Sequence, residues 1–265
     1  MTDGRDGDDD SAEGRGSDRK RETAAHFGDH AAEYLDSEVH RAGDDLDRLA
    51  EWCASADRGL DIATGAGHTA GALVEAGVDH VVATDAAPDM VATTTRAFPA
   101  VEGVVCDAER LPFAADRFDA VACRIAAHHF PDPDAFVAEV ARVLEPGGTF
   151  AFEDNIAPAD DALDDFLNTV ERTRDPTHVR SHTVADWVGW LESAGFTVEE
   201  SHVVTKTLDY DEWVANVEAS PERRERVENA FDDPPPGAAE TFDLSYEDGA
   251  IESFANLKLL VRAVR

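Results

Sequence analysis

Apolar residues recur early in the chain at helical spacing: Phe27, Ala31, Tyr34 and Leu35, then Leu46, Leu49 and Trp52. Steps of three and four place each set on one face, which predicts two helices within 21–53, broken near Ser37 and Gly43. From Leu60 the pattern changes. Short apolar runs alternate with longer amphipathic stretches: Leu60-Asp61-Ile62-Ala63, Val81-Val82-Ala83-Thr84, Gly103-Val104-Val105-Cys106, Phe118-Asp119-Ala120-Val121-Ala122-Cys123 and Thr149-Phe150-Ala151-Phe152. Strand–helix alternation of this kind predicts an α/β fold with a parallel sheet and right-handed crossovers. Residues 155–185 read as an inserted helix and loop. A helix follows from Val184 to Ala194, stopped by Gly195, and then a strand from Phe196 to Thr205. Asp211 to Phe231 is helical in pattern, divided by Pro221. Asp232 to Gly237 is a turn, and Ser253 to Val264 closes the chain as a long antiparallel edge strand.

Composition narrows the picture. Residues 1–20 are mostly Asp, Gly, Ser and Arg and have little to bury, so a disordered acidic tail is expected there, followed by one domain over 21–265. The formal net charge is −34, and lysine occurs only at Lys20, Lys206 and Lys258. Such a surface repels nucleic acid and anionic membranes. The acid excess fits a cytoplasm of multimolar salt, where screening removes self-repulsion; an acidic proteome explains it equally. No apolar run is long enough for a membrane span and the acidic start is no signal peptide, so a cytoplasmic protein is expected. Cys53, Cys106 and Cys123 lack metal-type spacing and read as reduced thiols. His26/His30 and His178/His182 have the i, i+4 spacing of ligand pairs without a third ligand, so no metal is expected. Nothing in the chain sets the oligomeric state.

The candidate chemistry begins at Asp61-Ile62-Ala63-Thr64-Gly65-Ala66-Gly67, where the first strand turns into a helix near His68. Gly65 and Gly67 let the backbone turn sharply and approach a ligand, and the helix aims free N–H groups at it. Asp85 ends the second strand, where a carboxylate can accept hydrogen bonds from both hydroxyls of a ribose. The pair indicates an adenosine-containing cofactor. A nicotinamide dinucleotide and S-adenosylmethionine both fit it.

Further elements separate the two: Asp85 with Pro88-Asp89-Met90, Asp107-Ala108-x-x-Leu111-Pro112-Phe113, His128-His129-Phe130 and Leu144-x-Pro146-Gly147-Gly148. In order and spacing over roughly 58–155 the chain resembles the class I S-adenosylmethionine-dependent methyltransferases, in particular the small-molecule group of ubiquinone and menaquinone biosynthesis. The resemblance implies a Rossmann-like, mostly parallel seven-stranded sheet with helices on both faces. It also implies a helical N-terminal lid (21–53), a cofactor-binding core (58–155), and insertions (155–185 and 207–240) that cover a small-molecule methyl acceptor. The cofactor set is then Tyr34 as lid aromatic, Asp61, Thr64, Gly65 and Gly67 in the loop, Asp85 and Ala86 at the ribose, and Met90, Asp107 and Ala108 at the adenine. Arg124 contributes through its backbone. Ser37 and His40 are weaker lid candidates. Each has a plainer alternative: loop bracing for Asp61, helix capping for Asp85, core packing for Met90 and a turn for Asp107.

Methyl transfer asks little of side chains, because alignment and water exclusion supply most of the rate. A base is needed only where the acceptor must lose a proton. His128 and His129 follow the fourth strand on its carboxyl edge and are the catalytic candidates; packing under the loop and capping the next helix are the alternatives. Asp154, at the end of the fifth strand, and His178 and Arg180, in the insertion, are candidate acceptor contacts, with an Asp175–Arg180 ion pair as the structural alternative. The pocket is expected to be mostly apolar, suiting an aromatic or isoprenoid-like acceptor. A nicotinamide oxidoreductase would need a Tyr/Lys pair, and the lysines are expected far from the carboxyl edge. A cofactor-binding protein without turnover is the third class.

Overall fold

The computed structural model describes residues 20–28, 43–217 and 219–265. Tyr34, Ser37 and His40 lie outside them, as does the predicted break near Ser37. Helix α1 covers 20–28 and α2 Asp44–Cys53. The alternation follows: β1 Arg58–Ile62, α3 His68–Glu75, β2 His80–Asp85, α4 Pro88–Ala97, β3 Val101–Val105, β4 Phe118–Arg124, α5 Pro133–Val143 and β5 Leu144–Asn155. The remainder is α6 Asp161–Arg174, α7 Val184–Ser193, β6 Thr197–Asp209, α8 Tyr210–Ala215, α9 Pro221–Asp232, α10 Ala238–Thr241, β7 Ser245–Glu247 and β8 Ala250–Val264.

The sheet order is β3-β2-β1-β4-β5-β8-β6, with β7 paired to β8 off this path. The first five strands are parallel, and β8 runs antiparallel to both β5 and β6. Progression goes outward from β1 to β3 and resumes on β1's other side at β4. The carboxyl ends of β1 and β4 therefore form the crevice of a topological switch point.

Both faces of the parallel part are covered. Leu60, Ile62, Val121, Cys123, Phe150 and Phe152 pack one face against Phe136 of α5 and Trp187 of α7. Ala83, Ala120, Ala122 and Ala151 present small side chains to Leu49, Cys53, Ala70 and Leu73 of α2 and α3 on the other. Local signals start the helices. Asp132 accepts from the Ala135 amide (3.0 Å) ahead of Pro133, and Thr183 and Asp186 form a capping box at α7. Cys123, at 0% exposure, is core, whereas Cys106 reaches the cavity described below.

One expectation fails. The last strand is not at the edge: β8 lies between β5 and β6, and β6 is the edge. The physical reason is legible in its burial. Ala255, Asn256, Lys258, Leu259, Leu260, Val261 and Ala263 are all buried, a nearly unbroken run that needs cover on both faces. On β6, by contrast, Val203 is 54% exposed beside Glu199, Glu200 and His202, and charge of this kind blunts a free edge. A third core of Val170, Tyr210, Trp213, Val227, Phe231 and Phe254 joins α6, α8, α9 and β8. No described helix is long and apolar enough to cross a membrane.

Candidate active site

A cavity of about 860 Å³ opens along the carboxyl edge. Its floor is the turn after β1. Ala63 (φ +55°) and Gly65 (φ +55°) bend the chain into the left-handed region, and Gly67 (φ +92°) starts α3. The Thr64 amide bonds to the Thr84 carbonyl (2.8 Å), and Thr94 Oγ1 donates to the Gly65 carbonyl (2.9 Å). The two glycines differ in what they face. A Cβ on Gly67 would stand 2.6 Å from Thr94 Cγ2 and 3.0 Å from Phe98, so its job is close packing. A Cβ on Gly65 would meet no atom of a described residue within 4 Å and would project into open space among them. Gly65 is therefore where a ligand can lie against the backbone.

Two carboxylates, Asp61 and Asp85, hold this turn, and a third, Asp107, lines the same cavity. Asp61 is 1% exposed and accepts from Thr64 Oγ1 at 2.5 Å, and burial pushes its carboxyl up to about 7. It braces the loop from beneath and does not line the cavity. Asp85 does line it: Oδ2 accepts the Gly65 amide (3.0 Å) and Oδ1 the Ala87 amide (2.9 Å), while burial raises its pKa. Asp85 thus holds Ala87, the N-cap residue of α4, without itself capping the helix, and each oxygen keeps a lone pair for a hydroxyl. Asp107 Oδ1 accepts the Glu109 amide (3.0 Å), and its Oδ2 takes Lys20 Nζ of α1 at 2.7 Å. Thr64, Ala86, Met90 and Ala108 complete this end of the lining.

At the other end, β4 runs into Ile125 (φ +52°) and a 3-10 turn, Ala127–His129. His128 Nδ1 lies 2.6 Å from Asp154 Oδ1, and the His128 amide donates to Asp154 Oδ2 at 2.9 Å. Asp154 accepts through both oxygens, so Nδ1 carries the proton and Nε2 is the nitrogen left for the cavity that the ring lines. Burial pulls the His128 pKa down, but the Asp154 charge outweighs it and the net shift is upward. His129 Nδ1 lies 3.1 Å from the Thr177 carbonyl, which can only accept, so His129 Nε2 holds the lone pair. Burial and the neighbouring His128 lower its pKa and keep it neutral.

A methyltransferase domain family matches residues 60–152. An uncharacterized methyltransferase of Bacillus subtilis, YcgJ, is 33% identical over 247 residues, 90% of this chain and 97% of that one. Its crystal structure has a TM-score of 0.77 at 31% identity, covering 83% and 97% of the two chains. A Bacillus halodurans C-125 structure has a TM-score of 0.80 at 38% identity, covering 84% of this chain and 99% of that one. A ubiquinone/menaquinone biosynthesis C-methyltransferase of Desulfotalea psychrophila is 32% identical over 144 residues, 53% of this chain and 58% of that one. The chain belongs to the class I S-adenosylmethionine-dependent methyltransferases. S-adenosylmethionine is its cofactor.

The methyltransferase brings together Thr64, Gly65, Asp85, Ala86, Met90, Asp107, Ala108, Arg124, His128 and His129 around one cavity. Besides Asp61, which braces the loop from beneath, four further candidates stand elsewhere. Gly67 packs behind the loop. Asp154, at 0% exposure, serves His128 and does not face an acceptor. His178 is buried with Nε2 3.2 Å from Asn168 Oδ1. Arg180 pairs with Asp164, not with Asp175, which instead holds the Thr177 amide (2.8 Å) and hydroxyl (2.6 Å). The segment of His178 and His182 lies in a loop between α6 and α7, so their i, i+4 spacing has no helical meaning. The cap of α5 is Asp132, which frees His129 from that role.

Arg124 lines the cavity, but its side chain works inside the protein. Nε donates to Glu153 Oε2 (2.8 Å) and Nη2 to Asp45 Oδ2 of α2 (2.6 Å). Lys258 Nζ closes the network on Glu153 Oε1 at 3.0 Å. The lysine expectation is overturned: Lys20, Lys206 and Lys258 all line the cavity. Antiparallel return brings them there, since β8 places Lys258 opposite Asn155 at the carboxyl end of β5. The expected apolar pocket is also only half right, because Glu171, Arg174, Asp175, Lys206, Asp209 and Glu212 line its far side.

Proposed function

We propose that this methyltransferase acts on a small-molecule acceptor that gives up a proton, with His128 as the general base. The observation that carries this reading is the 2.6 Å His128–Asp154 pair with its ring on the cavity wall. The open space above Gly65 accommodates the cofactor. Thr64 and Gly65 would take its aminoacid end, Asp85 and Ala86 the ribose, and Met90, Asp107 and Ala108 the adenine. Bound there, it supplies an electrophilic sulfonium methyl.

The chain's own residues then align and deprotonate. Asp154 fixes the His128 tautomer, and Nε2 takes the proton that the acceptor loses as its bond to the methyl carbon forms and that carbon's bond to sulfur breaks. His129, held neutral, offers a lone pair that orients the acceptor hydroxyl or amine. Phe27 of α1 stands edge-on to His129 at 5.0 Å, and α1 is tied down through Lys20 to Asp107 and Glu109. With α6 and α8 on the other side, α1 excludes water from the reacting atoms. The net charge of −34 favours a small acceptor over nucleic acid.

The experiment is a pH–rate profile. His128 must be neutral to act, and its pKa lies above the usual 6.5. The value of kcat/KM therefore rises tenfold per pH unit up to that raised pKa and then levels. Asp154→Asn removes the charge that raises it and moves the limb to lower pH. A flat profile from pH 5.5 to 8.5, or a limb unmoved by Asp154→Asn, would remove His128 from this role.

A further inference from the structure

The loop after α6 is polar and yet buried: Asp175, Thr177 and His178 are 3%, 6% and 4% exposed. Polar groups buried in a loop cost free energy unless they are hydrogen-bonded, so their partners show what the loop does. Here they converge on the two cavity histidines. The amides of Val179 and Arg180 both donate to the His128 carbonyl, at 2.9 and 3.0 Å. The His178 ring lies 5.4 Å from the His128 ring. His129 Nδ1 faces Thr177 twice, its carbonyl at 3.1 Å and its hydroxyl oxygen at 3.2 Å. Asn168, at 0% exposure, holds the far end of the loop, where its Oδ1 accepts the Ser181 amide at 2.8 Å and faces His178 Nε2 at 3.2 Å.

One carboxylate shapes the contact with His129. Asp175 Oδ1 accepts both the Thr177 amide (2.8 Å) and the Thr177 hydroxyl (2.6 Å). The first bond folds the turn that aims the Thr177 carbonyl at His129. The second settles where the hydroxyl proton goes. A hydroxyl has one proton and two lone pairs, and a charged acceptor at 2.6 Å holds that proton against a ring nitrogen at 3.2 Å. Thr177 Oγ1 therefore turns a lone pair to Nδ1, as its carbonyl does. Both partners of Nδ1 accept, so the proton of the neutral ring sits on Nδ1 and Nε2 is bare.

We infer that Asp175 is a positioning residue of the methyl-transfer site: through Thr177 it fixes His129 in the tautomer that keeps Nε2 as an acceptor, as Asp154 fixes His128 without an intermediary. This deepens the proposed function, and the use of the His129 lone pair rests on that reading. A neutral imidazole without fixed partners populates both tautomers. The wrong one would present an N–H on the cavity wall, where the O–H or N–H of the acceptor has to dock.

The test reads the ring itself, without turnover. The full chain is made with isotopically labelled histidine and its ring nitrogens are followed by NMR near neutral pH, with those of His129 identified by their loss in His129→Gln. In the wild type the proton is expected on Nδ1. In Asp175→Ala about a third or more of His129 carries it on Nε2, whereas Asp175→Asn, whose side-chain oxygen accepts the same two donors, keeps the wild-type spectrum. A merely structural role would not move the proton from one ring nitrogen to the other. A cooperative thermal transition reports that each variant folds. Where Asp175→Ala does not fold, the isosteric Thr177→Val decides, since it strips one of the two acceptors from Nδ1: about a tenth or more of the Nε2–H form is expected there. A proton on Nε2 in the wild type, an unmoved tautomer in the deciding variant, or a shift in Asp175→Asn as large as in Asp175→Ala overturns the inference. A flat pH–rate profile is a different result: it removes His128 as the base and leaves the positioning of His129 standing.

Discussion

His128→Ala lowers kcat by 10²–10⁴, about 3–5 kcal/mol of transition-state stabilisation, and leaves S-adenosylhomocysteine affinity within threefold. The split follows from the geometry. His128 stands in the 3-10 turn after β4, whereas the Gly65 turn follows β1 and Asp85 ends β2. The variant also loses the acid limb of the pH profile, which a packing role would not move. Asp154→Asn keeps the shape of the site and falls between wild type and His128→Ala. Steady-state kinetics from pH 5.5 to 8.5 checks all three. A variant that keeps more than a third of wild-type kcat would show that alignment alone drives the reaction.

Glu153→Ala costs about 3–5 kcal/mol of stability, because it leaves Arg124 and Lys258 as buried cations without their shared carboxylate. Glu153 is 0% exposed and Lys258 4%. Burial pushes the Glu153 carboxyl up against the pull of Lys258 and Arg124, which shows how much the surroundings disfavour charge there. For a chain of this size the loss lowers Tm by roughly 6–20 °C. Glu171→Ala, which leaves Arg174 its cation–π contact with Trp213 at 4.4 Å and its bond to the Trp213 carbonyl, costs less. Thermal denaturation of the two variants side by side decides it. A Glu153→Ala midpoint within 2 °C of wild type would mean that water reaches and solvates the network.

The parallel half of the molecule was legible because its signals are local. Turn glycines with positive φ, Asp85 at a strand end and Pro133 at a helix start each follow from a few neighbouring residues. The antiparallel half was not, because its meaning depends on register. Lys258 reads as a charge in an apolar run until β8 is placed between β5 and β6, where it meets Glu153. The same placement brings Lys206, expected far from the carboxyl edge, to the cavity wall. Asp154 reads in the sequence as an acceptor contact at a strand end, whereas in the structure its side chain is buried on His128, a distinction set by which way the β5 side chain points. Arg180 and His178 failed for a similar reason: the loop after α6 folds inward onto Asn168 and Asp164, spending both side chains on structure.

Calorimetric titration of the full chain with S-adenosylhomocysteine and, separately, with NAD tests the central claim most directly. The account predicts micromolar binding of the thioether, about 8 kcal/mol, and none of the dinucleotide. In Gly65→Val, whose side chain enters the open space above the turn at a φ (+55°) that strains any L side chain, the thioether affinity falls at least tenfold, and a thermal transition reports whether the variant folds. Binding of NAD with no binding of S-adenosylhomocysteine, or normal thioether binding by Gly65→Val, would contradict it.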